Sequence, residues 1–310
     1  MAFPQYAALS IVVTAHNCES FLSATLLSIE QACGELLEQQ EIILINDSST
    51  DRTQAIFDAF QSRHKNVKTY QVNFKNIGKV RNFALRQCTG QFVTMVDGDD
   101  QLLPDSLKEI IPYLLEKKPD VFLAPLNEVY EDQASSLSWK GIDACPLSQD
   151  KVIKKFLIHR ELQAHFIGQF FSRAIIQRIS FPEFICYEDA WAFPLLLKMS
   201  SSIIYSSSGH YVYYKRKGSL SENITAEKVS LLIAATEQMN VNFEQSYLSL
   251  VACHWINILH KYEKKIKSID DLNKVKCAIQ QTSLFRFLID PLVRLSFKKK
   301  IIKLKLSGKI

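Results

Sequence analysis

The sequence predicts an α/β fold in which a mostly parallel β-sheet is flanked by helices. Short runs rich in β-branched residues alternate with segments of helical spacing through roughly the first hundred residues. Acidic, polar clusters follow two of these runs, and the pattern beyond residue 223 is helical with no further strand signal. Such alternation favours a parallel sheet whose ligands bind outside the carboxyl ends of the strands.

The individual elements follow from local composition and periodicity. The first four predicted strands span residues 10–15, 41–45, 67–71 and 92–96, and each is followed by a helical or acidic segment. Later strands are predicted near 120–129, 203–205 and 211–214, helices over 152–177 with an interruption near Gly168, and an exposed loop over 131–149.

These elements predict a chain of two parts. Residues 1–222 form the α/β domain, which divides into halves over 1–110 and 111–222. Residues 223–310 form a helical extension that ends in a basic tail. A length of 310 residues accommodates this arrangement.

Composition excludes several classes of protein. A hydrophobic fraction of 47% argues against global disorder. Seven scattered cysteines without CxxC spacing exclude a complete disulfide framework and the usual zinc-finger spacing, which favours free thiols in a reducing compartment. The amino-terminal stretch lacks Lys and Arg, and no apolar run reaches the ~18–20 residues of a membrane span. We expect a cytoplasmic protein that can also lie at the inner face of the cytoplasmic membrane.

The positive charge of the chain is concentrated at its end. Residues 294–310 carry seven basic side chains and no acidic one, interleaved with large apolar residues. This composition is typical of a segment that contacts an anionic membrane surface, although a solvated tail has the same charge. The segment contains few aromatic residues, so we expect no nucleic-acid partner.

The densest chemical signal is the run Asp97, Gly98, Asp99 and Asp100. Three carboxylates this close repel one another unless a cation or several hydrogen-bond donors compensate them. Mg²⁺ and Mn²⁺ bind hard oxygen ligands of this kind, commonly with phosphate oxygens of a substrate. Gly98 permits a tight backbone path through the run. An ordinary acidic turn would show the same residues.

Several segments together resemble a known family. The order SIVVTAHN, EIILINDSSTDRT, NIGKVRNFAL and TGQFVTMVDGDD, followed by FPEFICYEDAWAF and YVYYKRKGSLS, resembles family 2 glycosyltransferases of the GT-A fold, of the bacterial polysaccharide-biosynthesis type. The resemblance implies a metal-dependent, inverting transfer from a nucleotide-diphospho-sugar, with UDP favoured, to a hydroxyl of a glycan or lipid-linked acceptor. It implies Mn²⁺ or Mg²⁺ as the cofactor, a nucleotide-sugar-binding half over residues 1–110 and an acceptor half over residues 111–222.

The resemblance also implies which residues bind the donor. Thr14, Ala15 and Asn17 match the loop that contacts the nucleotide, and Asp47 matches the aspartate that hydrogen-bonds the uracil ring.

Further donor contacts are implied by two basic segments. Arg81 and Asn82 match a pair that shapes the donor pocket, and Lys215 and Arg216 lie where basic groups neutralise the diphosphate. A solvated basic turn is the alternative for the second segment.

The same resemblance implies the metal ligands and the base. Asp99 is the expected direct ligand, with Asp97 and Gly98 in the same motif and His210 as a further metal contact. Asp189 stands at the place of the general base and Glu188 beside it. An acidic pair at a helix amino terminus would also suit these two positions.

Other functions were weighed against this one. A nucleotidyltransferase would carry a glycine-rich, basic loop after the first strand, where this chain has TAHNCES. The absence of GxGxxG after that strand argues against a dinucleotide-dependent oxidoreductase. A catalytically inactive relative that binds glycans or assembles with other subunits remains open, although the presence of all the expected carboxylates argues against it.

Overall fold

The computed structural model describes residues 7–130, 137–159, 162–216 and 223–310. It divides into two compact units, each built from separate stretches of the chain. The first comprises Met1–Ser148, His165–Glu183 and Met199–Ser219, and the second Gln149–Ala164, Phe184–Lys198 and Leu220–Ile310. The predicted division of the chain at residue 222 stays a prediction.

The first unit contains all the strands of the described residues. They are β1 Leu9–Ala15, β2 Glu41–Asp47, β3 Val67–Val72, β4 Phe92–Asp97, β5 Gln101–Leu102, β6 Val121–Leu123, β7 Leu126–Tyr130, β8 Ala144–Leu147, β9 Phe170–Ser172, β10 Ile203–Ser206 and β11 Tyr211–Lys215. Eight of them form one sheet in the order β3-β2-β1-β4-β9-β6-β10-β8, and β5, β11 and β7 form a smaller sheet. The four strands predicted first are confirmed and pair in parallel.

The helices flank this sheet or form the second unit. They are α1 Leu22–Cys33, α2 Thr53–Arg63, α3 Ile77–Gln87, α4 Ser106–Lys117, α5 Gln149–Leu157, α6 Arg173–Ile176, α7 Glu188–Met199, α8 Ala226–Asn242, α9 Leu248–Tyr262, α10 Ile269–Gln280, α11 Leu284–Ile289 and α12 Leu295–Leu306. The predicted helical extension beyond residue 223 is confirmed. Within the described ranges, each helix is too short or too polar to cross a lipid bilayer.

The centre of the sheet is buried on both faces. Every residue of β2 is buried, and β1 is buried except at Thr14, as expected for parallel strands covered by helices. At the amino-terminal edge, the Glu41 carboxylate accepts hydrogen bonds from Ser10 Oγ at 2.6 Å and Thr89 N at 2.7 Å. Lys68 Nζ lies 2.9 Å from the same carboxylate. This network joins the starts of β1, β2 and β3 to the chain before β4.

The second unit is a helical bundle arranged around α9. This helix packs against α8, α10, α11 and α12. Its buried side chains include Trp255 and Ile256, and Phe287 of α11 and Ile301 of α12 are also fully buried. The aromatic ring of Phe156 adds contacts with other rings of this unit.

Three sequence predictions differ from the structure. The segment 120–129 forms two short strands, β6 and β7, which belong to different sheets. The segment 152–177, predicted to be helical, contains the strand β9 between two helices. Part of the predicted loop 131–149 forms β8, while residues 131–136 lie outside the described residues.

Candidate active site

Three neighbouring strands end at one edge of the large sheet. β1 lies between β2 and β4, and Thr14 pairs in register with Ile45 on one side and Asp97 on the other. The last residues of β2 and β4 are Asp47 and Asp97. The acidic loops that follow β2 and β4 therefore lie at the same edge of the sheet.

The acidic turn is fastened to the end of β1. Thr14 Oγ1 donates a hydrogen bond to Asp97 Oδ1 at 3.2 Å, and Gly98 N donates to Thr14 O at 2.8 Å. A Cβ atom at position 98 would lie 2.9 Å from the Cβ of Ala15. Glycine is needed here because the two backbone segments approach too closely for a side chain.

Asp100 is the buried anchor of the turn. Tyr211 Oη donates a hydrogen bond to its Oδ2 at 2.7 Å, and Tyr214 N donates to Oδ1 at 2.9 Å. Its side chain is 1% exposed. Burial, with the neighbouring charge of Asp97, raises the pKa of Asp100 to about 8.

Asp99 faces an arginine. Its Oδ2 lies 2.8 Å from Nη1 of Arg216. The guanidinium carbon of Arg216 lies 4.0 Å from the ring centroid of Phe21 and 5.0 Å from that of Tyr214. The sequence predicts Arg216 at the donor site, but it gives no indication of the contact with Phe21, Tyr214 or Asp99.

The acidic turn has the donor chemistry of a divalent-cation site. Asp97 and Asp99 offer hard carboxylate oxygens, which Mg²⁺ and Mn²⁺ prefer. Burial, together with the negative charges of Asp99 and Asp97, raises the pKa of the nearby Cys18 thiol to about 11. A cation would relieve this concentration of negative charge, so the residues fit such an ion. The described residues contain no group of three or more His, Cys, Asp or Glu side chains placed to hold a metal on their own.

His210 is enclosed by aromatic rings. Its ring centroid lies 5.1 Å from that of Phe170 and 6.4 Å from that of Trp139. Burial lowers its pKa to about 3, which keeps the imidazole neutral at neutral pH. Neither ring nitrogen has a hydrogen-bond partner among the described residues. Its predicted contact with the metal stays a prediction.

Asp47 organises the loop that follows β3. Its Oδ1 accepts hydrogen bonds from Phe74 N at 2.8 Å and Lys75 N at 2.9 Å, and its Oδ2 accepts one from Asn76 N at 3.2 Å. Ser48 Oγ lies 2.9 Å from Oδ1 and 2.7 Å from Asn73 Oδ1, so its single proton can be donated to either acceptor. A carboxylate oxygen can accept about two hydrogen bonds, so Oδ2 keeps room for one more donor. The predicted contact with uracil stays a prediction.

The loops after β1 and β2 are joined through Asn17. Its Oδ1 accepts a hydrogen bond from Thr50 N at 2.8 Å, and its own backbone N–H donates to Ser49 Oγ at 2.9 Å. Asn17 has a positive φ of 52°, a left-handed conformation that asparagine tolerates better than most residues. Its predicted nucleotide contact therefore belongs to a loop that is hydrogen-bonded to the loop after β2.

The Arg81–Asn82 pair packs against the segment before α7. Asn82 exchanges two hydrogen bonds with the backbone of Phe181, both of 2.8 Å. The Arg81 side chain is 4% exposed and its guanidinium carbon lies 5.5 Å from the Phe181 ring centroid. A Cβ atom on Gly78 would lie 1.9 Å from Pro182 O, so this contact also requires glycine. The donor contacts of Arg81 and Asn82 stay predictions.

Lys215 and Arg216 are neighbours with different partners. Lys215 pairs with Glu128, and its Nζ lies 5.4 Å from the ring centroid of Tyr130. Arg216 instead pairs with Asp99. The remainder of the predicted donor-closing segment, residues 217–221, lies outside the described residues.

The predicted base lies in the second unit. Glu188 and Asp189 are the first two residues of α7, where acidic side chains interact favourably with the helix dipole. The preceding residue, Tyr187, has a positive φ of 66° and accepts a hydrogen bond from Trp191 N at 3.0 Å. Their roles in catalysis stay predictions.

Comparison with known proteins identifies the family. The model of the family described as Glycosyl transferase family 2 matches residues 10–179, which is more than half of the chain. The chain belongs to glycosyl transferase family 2. The resemblance read from the sequence is thereby confirmed.

Relatives of this family 2 chain include proteins named as glycosyltransferases. Poly(ribitol-phosphate) β-N-acetylglucosaminyltransferase TarS of Staphylococcus aureus is 24% identical over 260 residues, which cover 80% of this chain and 43% of TarS. The chain thus spans less than half the length of that curated relative. A β-1,3-glucosyltransferase of Campylobacter jejuni that acts on GalNAc(5)-diNAcBac-PP-undecaprenol is 26% identical over 213 residues, covering 67% of this chain and 65% of the relative.

The fold of this family 2 chain matches a solved relative. The crystal structure of S. aureus TarS 1–349 in complex with UDP-GlcNAc aligns with a TM-score of 0.69 at 19% identity, covering 97% of this chain and 92% of that one. At 19% identity, this similarity shows that the two chains share a fold. It confirms the predicted GT-A fold with a helical carboxyl-terminal region.

Proposed function

We propose that the chain is a metal-dependent inverting glycosyltransferase. It moves a sugar from a nucleotide-diphospho-sugar, with UDP as the nucleotide, to a hydroxyl of a glycan or lipid-linked acceptor in cell-surface polysaccharide synthesis. The observation that carries the proposal is the acidic turn at the end of β4. Thr14 and Tyr211 fix that turn at the carboxyl edge of a parallel sheet, where such folds bind nucleotides.

UDP is favoured by the solved relative. TarS was crystallised with UDP-GlcNAc and with UDP, and both structures match nearly the whole length of this chain. The loops after β1 and β2, which meet through Asn17, would bind the nucleotide. Which sugar is attached to UDP is left to experiment.

The metal proposal assigns two carboxylates to the cation. Asp99 and Asp97 would hold Mn²⁺ or Mg²⁺, and the bound ion would neutralise the diphosphate as it becomes the leaving group. Asp100 is a support for these ligands, because Tyr211 and the backbone of Tyr214 occupy its oxygens.

The chemistry at the acceptor is assigned to Asp189. Its carboxylate accepts the proton of the acceptor hydroxyl while that oxygen forms a bond to the anomeric carbon. The bond from the anomeric carbon to the diphosphate oxygen breaks, and the nucleotide diphosphate leaves with the electron pair. A single displacement of this kind inverts the anomeric configuration. Glu188, beside Asp189, orients the base or contacts the sugar.

A thermal-shift panel of nucleotide-sugars with and without Mn²⁺ tests donor choice. We expect one UDP-sugar to raise the melting temperature, and only when Mn²⁺ is present. A panel in which no nucleotide-sugar stabilises the protein would contradict the donor proposal. Stabilisation by a nucleoside triphosphate instead would favour a nucleotidyltransferase.

Asp189→Asn separates binding from chemistry. The variant should keep its affinity for the donor and lose transfer, because an amide cannot accept the proton. Retained turnover would place the base elsewhere. If wild-type protein binds the donor and hydrolyses or transfers nothing in a panel of acceptors, the alternative of an inactive glycan-binding or assembly subunit gains support.

The proposal includes contact between residues 294–310 and an anionic membrane. On α12, Ile301 is fully buried, whereas Leu295, Ile302 and Leu306 are 75%, 41% and 84% exposed. Their spacing of seven and four residues places these three on one helix face. The five lysines of α12 and the absence of acidic residues there make this face complementary to anionic lipid.

Vesicle sedimentation tests this contact. Wild-type protein should sediment with phosphatidylcholine vesicles that contain phosphatidylglycerol, and much less with phosphatidylcholine alone. Ile302→Glu together with Leu306→Glu should weaken binding about tenfold or more. Val241→Glu is the matched control, since Val241 is an exposed apolar residue of α8 in the same unit. An equal loss in the control, or no loss in the double variant, would contradict the contact.

A further inference from the structure

Arg216 contacts the acidic turn in a way that its expected role at the diphosphate does not explain. Its guanidinium lies on Asp99, the carboxylate assigned to the metal, with 2.8 Å between Nη1 and Oδ2. The Arg216 side chain is 14% exposed and that of Asp99 39% exposed. The charge on Asp99 is therefore compensated by an enclosed cationic side chain of the same unit.

Two aromatic rings hold this guanidinium in place. Its carbon lies 4.0 Å from the ring centroid of Phe21 and 5.0 Å from that of Tyr214. A planar guanidinium can stack on an aromatic ring while its N–H groups bind a carboxylate, which a lysine ammonium cannot do equally well. Phe21 precedes α1 and is 38% exposed, so the contact with Arg216 gives an otherwise solvent-facing aromatic a specific partner.

A divalent cation and the guanidinium would compete for the same carboxylate. A Mg²⁺ or Mn²⁺ ligand oxygen lies about 2.0–2.2 Å from the ion. An Arg216 nitrogen 2.8 Å from that oxygen would then bring two positive groups within about 5 Å of each other, which is unfavourable. The ion pair, which occupies Asp99 Oδ2, would therefore weaken the binding of a divalent cation to Asp99.

We propose that Arg216 is a positioning residue that pairs with Asp99 while no cation is bound and is displaced when a divalent cation binds. Its guanidinium then becomes available to the diphosphate that arrives with the cation. The inference rests on the proposed role of Asp99 as a metal ligand. It adds that the cation alone binds weakly, because it must first break the ion pair.

Mn²⁺ titration without nucleotide, followed by electron paramagnetic resonance, tests this exchange. Arg216→Ala should bind Mn²⁺ about tenfold more tightly than wild type, which is the scale of one charge-assisted hydrogen bond. Arg216→Lys should lie between the two, because lysine can pair with Asp99 but cannot stack as a planar group. Phe21→Ala should shift the affinity in the same direction by a smaller factor.

Lys215→Ala is the matched control for charge. It removes one positive charge at the adjacent residue, but Lys215 pairs with Glu128. The displacement mechanism predicts an unchanged Mn²⁺ affinity for this variant. If Lys215→Ala binds Mn²⁺ as tightly as Arg216→Ala does, the gain in affinity is an effect of net charge and the inference is overturned.

The remaining outcomes separate the inference from the metal proposal. Unchanged or weaker Mn²⁺ binding by Arg216→Ala overturns the inference. If Asp99→Ala at the same time abolishes Mn²⁺ binding, the metal proposal stands without it. If Asp99→Ala binds Mn²⁺ as wild type does, both fail. Thermal melts followed by circular dichroism check that each variant is folded. If Arg216→Ala does not fold, the Mn²⁺ affinity of Phe21→Ala tests the inference instead.

Discussion

Asp47→Asn probes a carboxylate that holds a loop by accepting backbone hydrogen bonds. Three consecutive N–H groups, from Phe74 to Asn76, donate to Asp47 at 2.8, 2.9 and 3.2 Å. Lys75 has a φ of 48°, a conformation that is unfavourable for lysine and is maintained by these contacts. The loop therefore depends on the negative charge and on both oxygens of Asp47.

The expected loss of stability follows from these three bonds. A hydrogen bond to a charged group contributes about 1.5–3 kcal/mol, roughly twice a neutral one. Asparagine keeps one acceptor oxygen, loses the charge, and turns an amide donor toward the Asn76 N–H. We expect Asp47→Asn to lower the free energy of unfolding by about 2–3 kcal/mol.

Urea denaturation measures this loss, and UDP binding is measured on the same samples. Asp58→Asn is the matched control, because Asp58 is exposed on α2 and accepts one side-chain hydrogen bond from Gln54; its change should stay below about 0.5 kcal/mol. If Asp47→Asn is as stable as this control and yet loses UDP binding, the scaffolding argument is wrong and Asp47 serves the nucleotide alone.

Three further substitutions test other parts of the structure. Burial raises the pKa of Glu41, but the hydrogen-bond donors around its carboxylate outweigh burial and lower that pKa below its ordinary value of 4.5. The stability that Glu41 contributes is therefore fully present above pH 4.5 and is lost as the pH falls through the lowered pKa of the folded protein. Glu41→Gln should cost about 2 kcal/mol at neutral pH and flatten the acid dependence of urea denaturation. Gly98→Ala would place a Cβ 2.9 Å from Ala15 Cβ and should weaken Mn²⁺-dependent UDP binding about tenfold by calorimetry, as expected when ligands are displaced by a fraction of an ångström. Tyr211→Phe removes the hydroxyl bound to Asp100 and should lower the free energy of unfolding by about 2 kcal/mol, while unchanged stability would deny that Asp100 is anchored there.

The repeated strand–helix pattern was predictable because buried parallel strands and amphipathic helices have distinct periodicities. β1, β2, β3 and β4 were found in this way, with ends displaced by one or two residues. β9 was missed because it has three residues and lies in an apolar stretch, where a short buried strand cannot be distinguished from a helix by periodicity alone. β6 and β7 were merged although Pro125, which cannot donate a hydrogen bond to a neighbouring strand, lies in the two-residue break between them.

Site residues that are adjacent in the sequence were predictable, whereas contacts between residues far apart in the sequence were not. The run from Asp97 to Asp100 is visible in the sequence, but its ion pair with Arg216 joins residues 117 positions apart. Phe21 has no polar or charged group, so the sequence does not indicate that it contributes to the site. Tyr211 binds Asp100 through its hydroxyl whereas Tyr214 does so through its backbone N–H, a distinction that side-chain identity does not reveal.

Calorimetry of UDP binding to wild type and Asp99→Ala, with and without Mn²⁺, tests the central claim most directly. The acidic turn is proposed to hold the cation against the diphosphate, so wild type should bind UDP only weakly without Mn²⁺ and at least tenfold more tightly with it. Asp99→Ala should lose this Mn²⁺-dependent gain, and Asp58→Ala, an exposed aspartate of α2, should retain it. An Asp99→Ala variant that binds UDP with the wild-type Mn²⁺ dependence would contradict the account.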